Sequence, residues 1–247
     1  MISSSRRETL RRVRFRPGLW PSVAVLACLA VLLALGTWQV QRLQWKEELL
    51  AERAAQLAAP PAPLPATTDD WNAFDFRRVE AIGVFRHDLE QLFGARAREQ
   101  RLGHHLLTPL VRSDGSAVLV DRGWVPSDRV DAETRSAGQV RGQIEVTGIG
   151  RYRADDRPWW FAPENQPGTG LWFWYDLEAM QDALGLELLP VVIEADAAAN
   201  PGGLPIGGQT RVELPNNHLQ YAITWYGLAA ALLGVYISFS LKPREGA

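Results

Sequence analysis

The sequence has little sulfur and little net charge. Its single cysteine, Cys28, excludes a disulfide within the chain, a zinc site built on several thiolates and CxxC redox chemistry. A copper site with two cysteine ligands is excluded for the same reason. The formal net charge of −2 over 247 residues gives no electrostatic basis for nucleic-acid binding, and no basic patch with interleaved aromatic residues is present. We therefore expect no nucleic-acid partner.

Sequence motifs of catalysis are also missing. No GxSxG, HExxH, P-loop or GxGxxG signature stands where it would have to stand to work. Asp121 and Arg122 are adjacent, but an Asp–Arg pair is more often structural than catalytic. The acidic pair at 155–156 lies among three arginines, which is typical of a solvated charge cluster. The sequence therefore predicts that the protein is not an enzyme.

Two long uncharged runs stand near the ends of the chain, at 19–35 and 221–241. Each reaches about 20 residues when the first is extended to Trp38, and at about 1.5 Å per residue this crosses a hydrocarbon core of roughly 30 Å. We predict transmembrane helices at 18–38 and 221–241. The alternative, a pair of buried core helices, is disfavoured because both runs are apolar all round and have basic flanks.

Those basic flanks predict the orientation. Six arginines precede the first run and two basic residues follow the second, so the tails 1–17 and 242–247 are expected in the cytoplasm and residues 39–220 outside it. The segment 5–7 resembles a twin-arginine signal, but no small-residue cleavage site follows, which favours an uncleaved anchor. The Arg- and Ser-rich start is faintly similar to a mitochondrial transit peptide. Because no long presequence precedes the span, we expect the bacterial inner membrane and a periplasmic central domain.

The region between the runs begins as a continuation of the first helix and then changes period. Trp38, Arg42 and Trp45 share one helix face, and the helix is expected to stop at the proline-rich linker 60–65. Short β-branched segments follow, separated by Gly, Pro, Asp and Ser, as is usual for antiparallel strands. The expected strands are 77–85, 91–97, 105–112, 117–120, 143–149 and 189–194, with a hairpin loop at 113–116 and an amphipathic helix at 176–184. We predict one α+β domain dominated by an antiparallel, barrel-like sheet.

The four histidines differ in context. His87, beside two charged residues, is expected to be a solvated loop residue. His104 and His105 are adjacent on a predicted strand, where neighbouring side chains point to opposite faces, so they do not readily share a metal and are interpreted as structural or surface residues. His218 stands three residues before the second run. At that water–lipid boundary it is positioned to ligate the iron of a hydrophobic cofactor such as haem, although a simple interfacial anchor is the alternative.

Seven groups of residues occur in an order that resembles one protein family. They are LGTWQVQRLQWK (35–46), GVF (83–85), TPL (108–110), VDRGWVP (120–126), WFAPEN (160–165) with WF (172–173) and Asp176, PGG (201–203) and PNNHLQYAITW (215–225). Each is weak alone, but together they resemble the surfeit locus protein family, the assembly factors of haem–copper cytochrome c oxidase. The resemblance runs from about residue 35 to 228 and covers the domain and both membrane junctions.

The resemblance implies a chaperone role in maturing oxidase subunit I, with haem a synthesis and assembly proteins as further partners. It also implies haem a as a cofactor, linked to the histidine before the second run, which is His218. On that basis we hypothesise that Trp38, Tyr221 and Trp225 pack on the ring and that Arg42 pairs with a propionate. The alternative is a membrane-anchored scaffold that stabilises oxidase assembly intermediates without binding haem.

Two other parts of the resemblance concern the domain. Arg122 and Trp124 are expected to set the fold rather than touch haem. The chain departs from the family after Gly103, where an aromatic residue is expected and His104 stands instead.

Overall fold

A computed structural model describes residues 13–152, 161–210 and 216–243 of the chain. Its contacts divide it into two compact units, one within Met1–Leu50 and Leu214–Ala247 and the other Ala51–Glu213. The strands and α-helices in chain order are β1 (Val13–Phe15), α1 (Leu19–Ala58), β2 (Ala62–Pro63), β3 (Arg78–Phe85), β4 (Gln91–Arg98), β5 (Arg101–Val111), β6 (Ala117–Pro126), β7 (Gln143–Tyr152), β8 (Leu171–Trp172), α2 (Leu177–Leu184), β9 (Leu188–Ala195), α3 (His218–Ser240) and β10 (Leu241–Pro243).

The first unit contains α3, most of α1 and the short antiparallel ribbon of β1 and β10. The two helices approach closely at Gly36, where a Cβ atom would lie only 2.8 Å from the Tyr226 ring, as is common where small residues face a neighbouring helix. The Tyr226 hydroxyl lies 3.2 Å from Thr37 Oγ1. Nearer the chain ends, Ser22 Oγ and the Tyr236 hydroxyl are 2.6 Å apart. These contacts pair α1 with α3.

Both helices expose most of their apolar surface. In the most apolar 18-residue stretch of each helix, only 6% is buried in α1 and 11% in α3. Each helix is long and apolar enough to cross a membrane. Leu26 and Phe239, for example, are 66% and 82% exposed. This is not the burial of core helices. As predicted, α1 continues past its apolar run and ends just before Pro60, whereas α3 begins at His218, three residues earlier than the predicted span.

The second unit is built on an eight-stranded sheet with the order β2-β3-β7-β9-β6-β5-β4-β8, which also pairs β3 with β5. That extra pairing closes β3, β7, β9, β6 and β5 into a five-stranded barrel with the Greek-key character of OB-type folds. The predicted barrel-like, mainly antiparallel sheet is therefore confirmed, with one difference. Three pairings, β2–β3, β4–β8 and β6–β9, are parallel, because long connections return those strands in the same direction.

Strand β6 departs most from its predicted boundaries. The sequence predicts a strand at 117–120, but β6 runs from Ala117 to Pro126 and all ten residues are buried. The charged residues Asp121 and Arg122 end the apolar run 117–120, so the sequence pattern stops although the strand continues to Pro126. Their charges are instead paired inside the domain.

Alternate residues of the strands divide between two hydrophobic cores. The barrel interior contains Val79, Leu110, Val120, Val191 and Ile193 among others. The second core lies on the opposite face of the sheet and contains Leu107, Leu119, Trp172, Met180 and Val192 among others. Met180 belongs to the predicted helix α2.

Helix α2 confirms the predicted segment 176–184 and has defined ends. The Asp176 side chain accepts a hydrogen bond from the Ala179 amide at 3.1 Å, which satisfies a free amide at the helix start. Gly185 ends the helix in the left-handed conformation.

Candidate functional site

The first unit holds a buried polar pair that joins the two helices. His218, the first residue of α3, places its Nδ1 atom 2.7 Å from Oε1 of Gln39 on α1. Gln39 is only 9% exposed. The Gln39 amide oxygen faces the ring and can only accept, so Nδ1 is the donor of this hydrogen bond and Nε2 is the second ring nitrogen. Nε2 has no hydrogen-bond partner among the residues that the structure describes.

This arrangement is the one that metal-ligating histidines usually have. Such a histidine donates its other ring N–H to an oxygen acceptor, which fixes the tautomer and the ring orientation. Within the described parts of the chain, no group of three or more His, Cys, Asp or Glu side chains could hold a free metal ion.

The other predicted site residues lie on the same two helices. Tyr221 and Trp225 follow His218 by about one and two turns of α3, with Tyr221 54% exposed and Trp225 half-buried. Trp38 precedes Gln39 and is 51% exposed. The guanidinium of Arg42 lies 4.4 Å from the centre of the Trp45 ring, a cation–π contact that confirms their shared helix face. The structure brings His218 to Gln39, and it leaves these aromatic and cationic groups accessible.

Gln39 was not singled out from the sequence. Three glutamines, Gln39, Gln41 and Gln44, stand in this part of α1, and only Gln39 is buried. The usable signal was spacing, because Gln39 lies three residues after Gly36 and so shares its helix face. This spacing identifies Gln39 only when it is already known that Gly36 faces α3.

The remaining histidines each have structural partners. His104 Nδ1 lies 2.5 Å from the Gly94 carbonyl oxygen and His105 Nδ1 lies 2.6 Å from Asp121 Oδ2, so the pair does not form a common site, as predicted. The prediction that His87 is a solvated loop residue is wrong. Its two ring nitrogens lie 2.9 Å from Glu90 Oε1 and 2.9 Å from the Val140 carbonyl, and its side chain is 13% exposed.

His87 belongs to a buried charge cluster in the second unit. Glu90 Oε2 lies 2.6 Å from Arg135, and Glu90 Oε1 lies 3.3 Å from Arg122. All three side chains are at most 7% exposed. Burial lowers the pKa of Arg122 to about 10, opposed by the nearby charge of Glu90. Arg122 also bonds the Gly138 carbonyl at 2.5 Å, so its contacts lie within the domain, as expected for a residue that sets the fold.

Two further expectations concern charged and aromatic residues of the domain. Trp124 is 4% exposed and donates to the Arg96 carbonyl at 3.0 Å, which is a structural role. The acidic pair at 155–156 lies outside the described residues. Arg151, one of the arginines near it, contacts Glu194 at 3.0 Å and Asp75 at 3.7 Å.

Comparison with known proteins settles the resemblance. The model of the SURF1 family matches residues 26–230. Human Surfeit locus protein 1 is 42% identical over 228 residues, which cover 86% of this chain and 75% of that protein. The chain belongs to the SURF1 family. The mouse Surfeit locus protein 1 is 42% identical over 82% of this chain and 70% of its own length, and a SURF1-like protein of Monosiga brevicollis is 38% identical over 89% and 87%.

The family match includes both halves of the polar pair. The SURF1 region begins within α1 and ends within α3, so Gln39 and His218 both lie inside it, as do Trp38, Arg42, Tyr221 and Trp225. Two apolar helices that flank a β-rich domain are thus the architecture of this SURF1-family chain.

Proposed function

We propose that this SURF1-family chain is a membrane-anchored assembly factor for haem–copper cytochrome c oxidase. In this proposal it binds haem a through His218 and assists the insertion of haem a into subunit I, together with proteins of haem a synthesis and assembly. The observation that carries the proposal is the hydrogen bond from His218 to the buried Gln39, because it engages Nδ1 and leaves Nε2 without a partner among the described residues.

Membrane anchoring is supported by the surface of the helix pair. Large apolar patches exposed to water are unfavourable, and α1 and α3 expose apolar side chains along most of their length. The lipid acyl chains of a bilayer cover such a surface. We place both termini in the cytoplasm and the β-rich domain in the periplasm of a bacterial inner membrane, because the basic residues flank the outer ends of both helices.

The residues near His218 suit the parts of haem a. Trp38, Tyr221 and Trp225 offer aromatic surface to the macrocycle. Arg42 is exposed, and its guanidinium lies over the Trp45 ring. It can therefore turn to a propionate carboxylate and form two hydrogen bonds with it. Haem a supplies the redox-active iron that the oxidase needs, and the role of this chain is to bind and orient it rather than to catalyse a reaction.

Gln39 orients the imidazole ring of His218 in the proposed site. A free imidazole exchanges between two tautomers, whereas His218 is held with its proton on Nδ1 by the Gln39 oxygen. Because Gln39 is buried on α1, the pair also ties the start of α3 to the neighbouring helix. The acceptor nitrogen is therefore ready before the cofactor arrives.

The test is the haem content of a His218→Ala variant. We expect full-length protein purified after co-expression with haem a synthesis to show a haem absorption spectrum, and His218→Ala to lose most of it. His104→Ala is the matched control, since His104 bonds a backbone carbonyl in the domain, and it should keep its haem. An unchanged haem spectrum in His218→Ala rejects the ligand assignment and favours the scaffold that assists assembly without haem.

A further inference from the structure

The short ribbon of β1 and β10 lies at one end of the helix pair. Strand β1 comes just before α1 and strand β10 directly follows α3, and the two strands pair antiparallel. The backbone pairing continues one residue beyond β1, because the Arg16 amide donates to the Ser240 carbonyl at 2.8 Å. The ribbon therefore joins the segments that precede the first helix and follow the second.

The two faces of this ribbon differ in chemistry. The Phe15 ring lies 6.2 Å from the Tyr236 ring in an edge-to-face contact, so one face of β1 is turned to α3. Because side chains alternate along a strand, Arg14 and Arg16 share the opposite face, and both residues are exposed. The register sets Lys242 directly opposite Arg14. The backbone thus places three basic residues on one face, which we call the basic face.

The basic face has no acidic residue near it in the described sequence. No Asp or Glu occurs at 13–46 or at 216–243. The first carboxylate along α1 belongs to Glu47, roughly 40 Å from the start of that helix at about 1.5 Å per residue. Like charges directly opposite each other on paired strands repel. The basic face therefore favours an anionic partner from outside the chain.

The neighbourhood of the ribbon indicates which anion is at hand. Leu19 and Trp20, in the first turn of α1, are 75% and 81% exposed. Tryptophan at the end of an apolar span is typical of the headgroup level of a bilayer. In a helix pair that spans a bilayer, the ribbon therefore lies at the lipid phosphates, whose local concentration far exceeds that of soluble anions or acidic proteins.

We propose that the basic face of the β1–β10 ribbon binds the phosphate of an anionic phospholipid. A guanidinium group can donate two parallel hydrogen bonds to one phosphate, and Arg14 and Arg16 offer two such groups on the same face. The inference rests on the membrane anchoring in the proposed function and is independent of haem. It gives the helix pair a selective lipid site in addition to its general apolar surface.

Native mass spectrometry of the full-length protein tests the lipid preference. The purified protein is equilibrated in micelles of a non-ionic detergent that contain equal amounts of phosphatidylglycerol and phosphatidylcholine. Both lipids have a phosphate, but only phosphatidylglycerol has a net negative charge. We expect phosphatidylglycerol to be enriched among the lipids that stay bound. Equal amounts of the two bound lipids would overturn the proposal and leave an acidic protein segment as the partner.

Two matched double variants locate the site. Arg14→Gln with Arg16→Gln should weaken phosphatidylglycerol binding by about fivefold for each arginine removed. The four arginines at 6, 7, 11 and 12 remain, so the orientation signal is kept. Arg101→Gln with Arg141→Gln removes the same charge from exposed residues of the β-rich domain and should leave binding unchanged. Equal binding by the two double variants would show that the ribbon is not the site.

Two further measurements separate the lipid site from its alternatives. Inorganic phosphate, added at the concentration of the lipid, should not displace phosphatidylglycerol, and displacement would assign the basic face to a free oxyanion instead. Alkaline carbonate extraction of membranes from the expressing cells tests anchoring by itself. A chain that is extracted contradicts the membrane anchoring of the proposed function, whereas an anchored chain without a lipid preference contradicts only the lipid site.

Discussion

The helix pair and the β-rich domain bury polar groups in opposite ways. In the helix pair, Gln39 and His218 form one hydrogen bond, and the other ring nitrogen has no partner among the residues that the structure describes. In the domain, Glu90 is held by Arg122 and Arg135, and each charged group makes several contacts. The first arrangement leaves one ring nitrogen without a partner among the described residues, whereas the second ties separate segments of the chain together.

The difference follows from the cost of burial. A neutral amide and imidazole lose little when they leave water, provided that they bond each other. A buried guanidinium or carboxylate loses far more and persists only when its charge is met, so its partners are fixed in position. The domain therefore uses its buried charges for architecture, and the helix pair uses its buried amide to orient one histidine.

Removing Glu90 tests the role of the buried charges in the domain, and we expect it to have the largest effect on stability. Glu90→Ala leaves the guanidinium groups of Arg122 and Arg135 buried without their shared carboxylate, so we expect the free energy of unfolding to fall by about 3–5 kcal/mol. Urea unfolding of the full-length protein in detergent, followed by circular dichroism, measures the loss. Asp88→Asn breaks an exposed pair with Arg86 and should leave the unfolding curve essentially unchanged. Equal effects of the two variants would show that the cluster is not structural.

Removing Gln39 should change function more than stability. Gln39→Leu takes away the acceptor of His218 Nδ1, so both tautomers become accessible, and we expect haem affinity to fall by roughly 10–100-fold. Stability should change by only about 1 kcal/mol. Haem titration of the purified apoprotein, followed by absorption, measures the affinity.

The same substitution at a neighbouring glutamine is the control for that result. Gln41 is exposed on α1, so Gln41→Leu should bind haem like the unmodified chain. Gln39→Glu keeps an oxygen acceptor for Nδ1 and should restore most of the affinity lost in Gln39→Leu. If Gln39→Leu and Gln41→Leu bind haem equally well, the hydrogen bond does not orient the ligand.

The two units were also unequally predictable from the sequence. Hydropathy located both apolar helices, and the periodicity of α1 predicted its extension to the prolines, because those signals are local. Each predicted strand segment overlaps a strand of the sheet, including 91–97, which contains no β-branched residue. The predicted end of β6 at residue 120 was wrong, as was the solvated setting of His87, because Arg122 and His87 are buried by partners distant along the chain, Glu90 and Val140 respectively.

The candidate site shows the same limit. His218 was selected by its position before an apolar run and by the resemblance to a family, whereas its partner Gln39 lies 179 residues away. Nothing local distinguishes Gln39 from Gln41. The pairing becomes visible only when the contact between α1 and α3, made at Gly36 and Tyr226, is known.

The smallest expected effect concerns Glu194, a buried carboxyl group whose charge is only partly compensated by its neighbours. Burial raises the pKa of Glu194, and Asp121 on the neighbouring strand raises it further, while Arg151 and Thr210 act in the opposite direction. The folded protein therefore binds the Glu194 proton more tightly than the unfolded chain does. The stability that this proton contributes is complete below the usual carboxyl pKa and is lost as the pH rises through the raised value.

Glu194→Gln should remove this pH dependence, because a glutamine resembles the protonated carboxyl at every pH. Urea midpoints of both proteins, measured from below the usual carboxyl pKa to neutral pH, are expected to diverge, with the unmodified chain losing stability relative to Glu194→Gln as the pH rises. Parallel curves would mean that the 3.0 Å contact with Arg151 meets the Glu194 charge completely. Divergence would instead place Glu194 between the two extremes of this molecule, since it is a buried carboxyl group that has a partner and whose pKa is nevertheless raised.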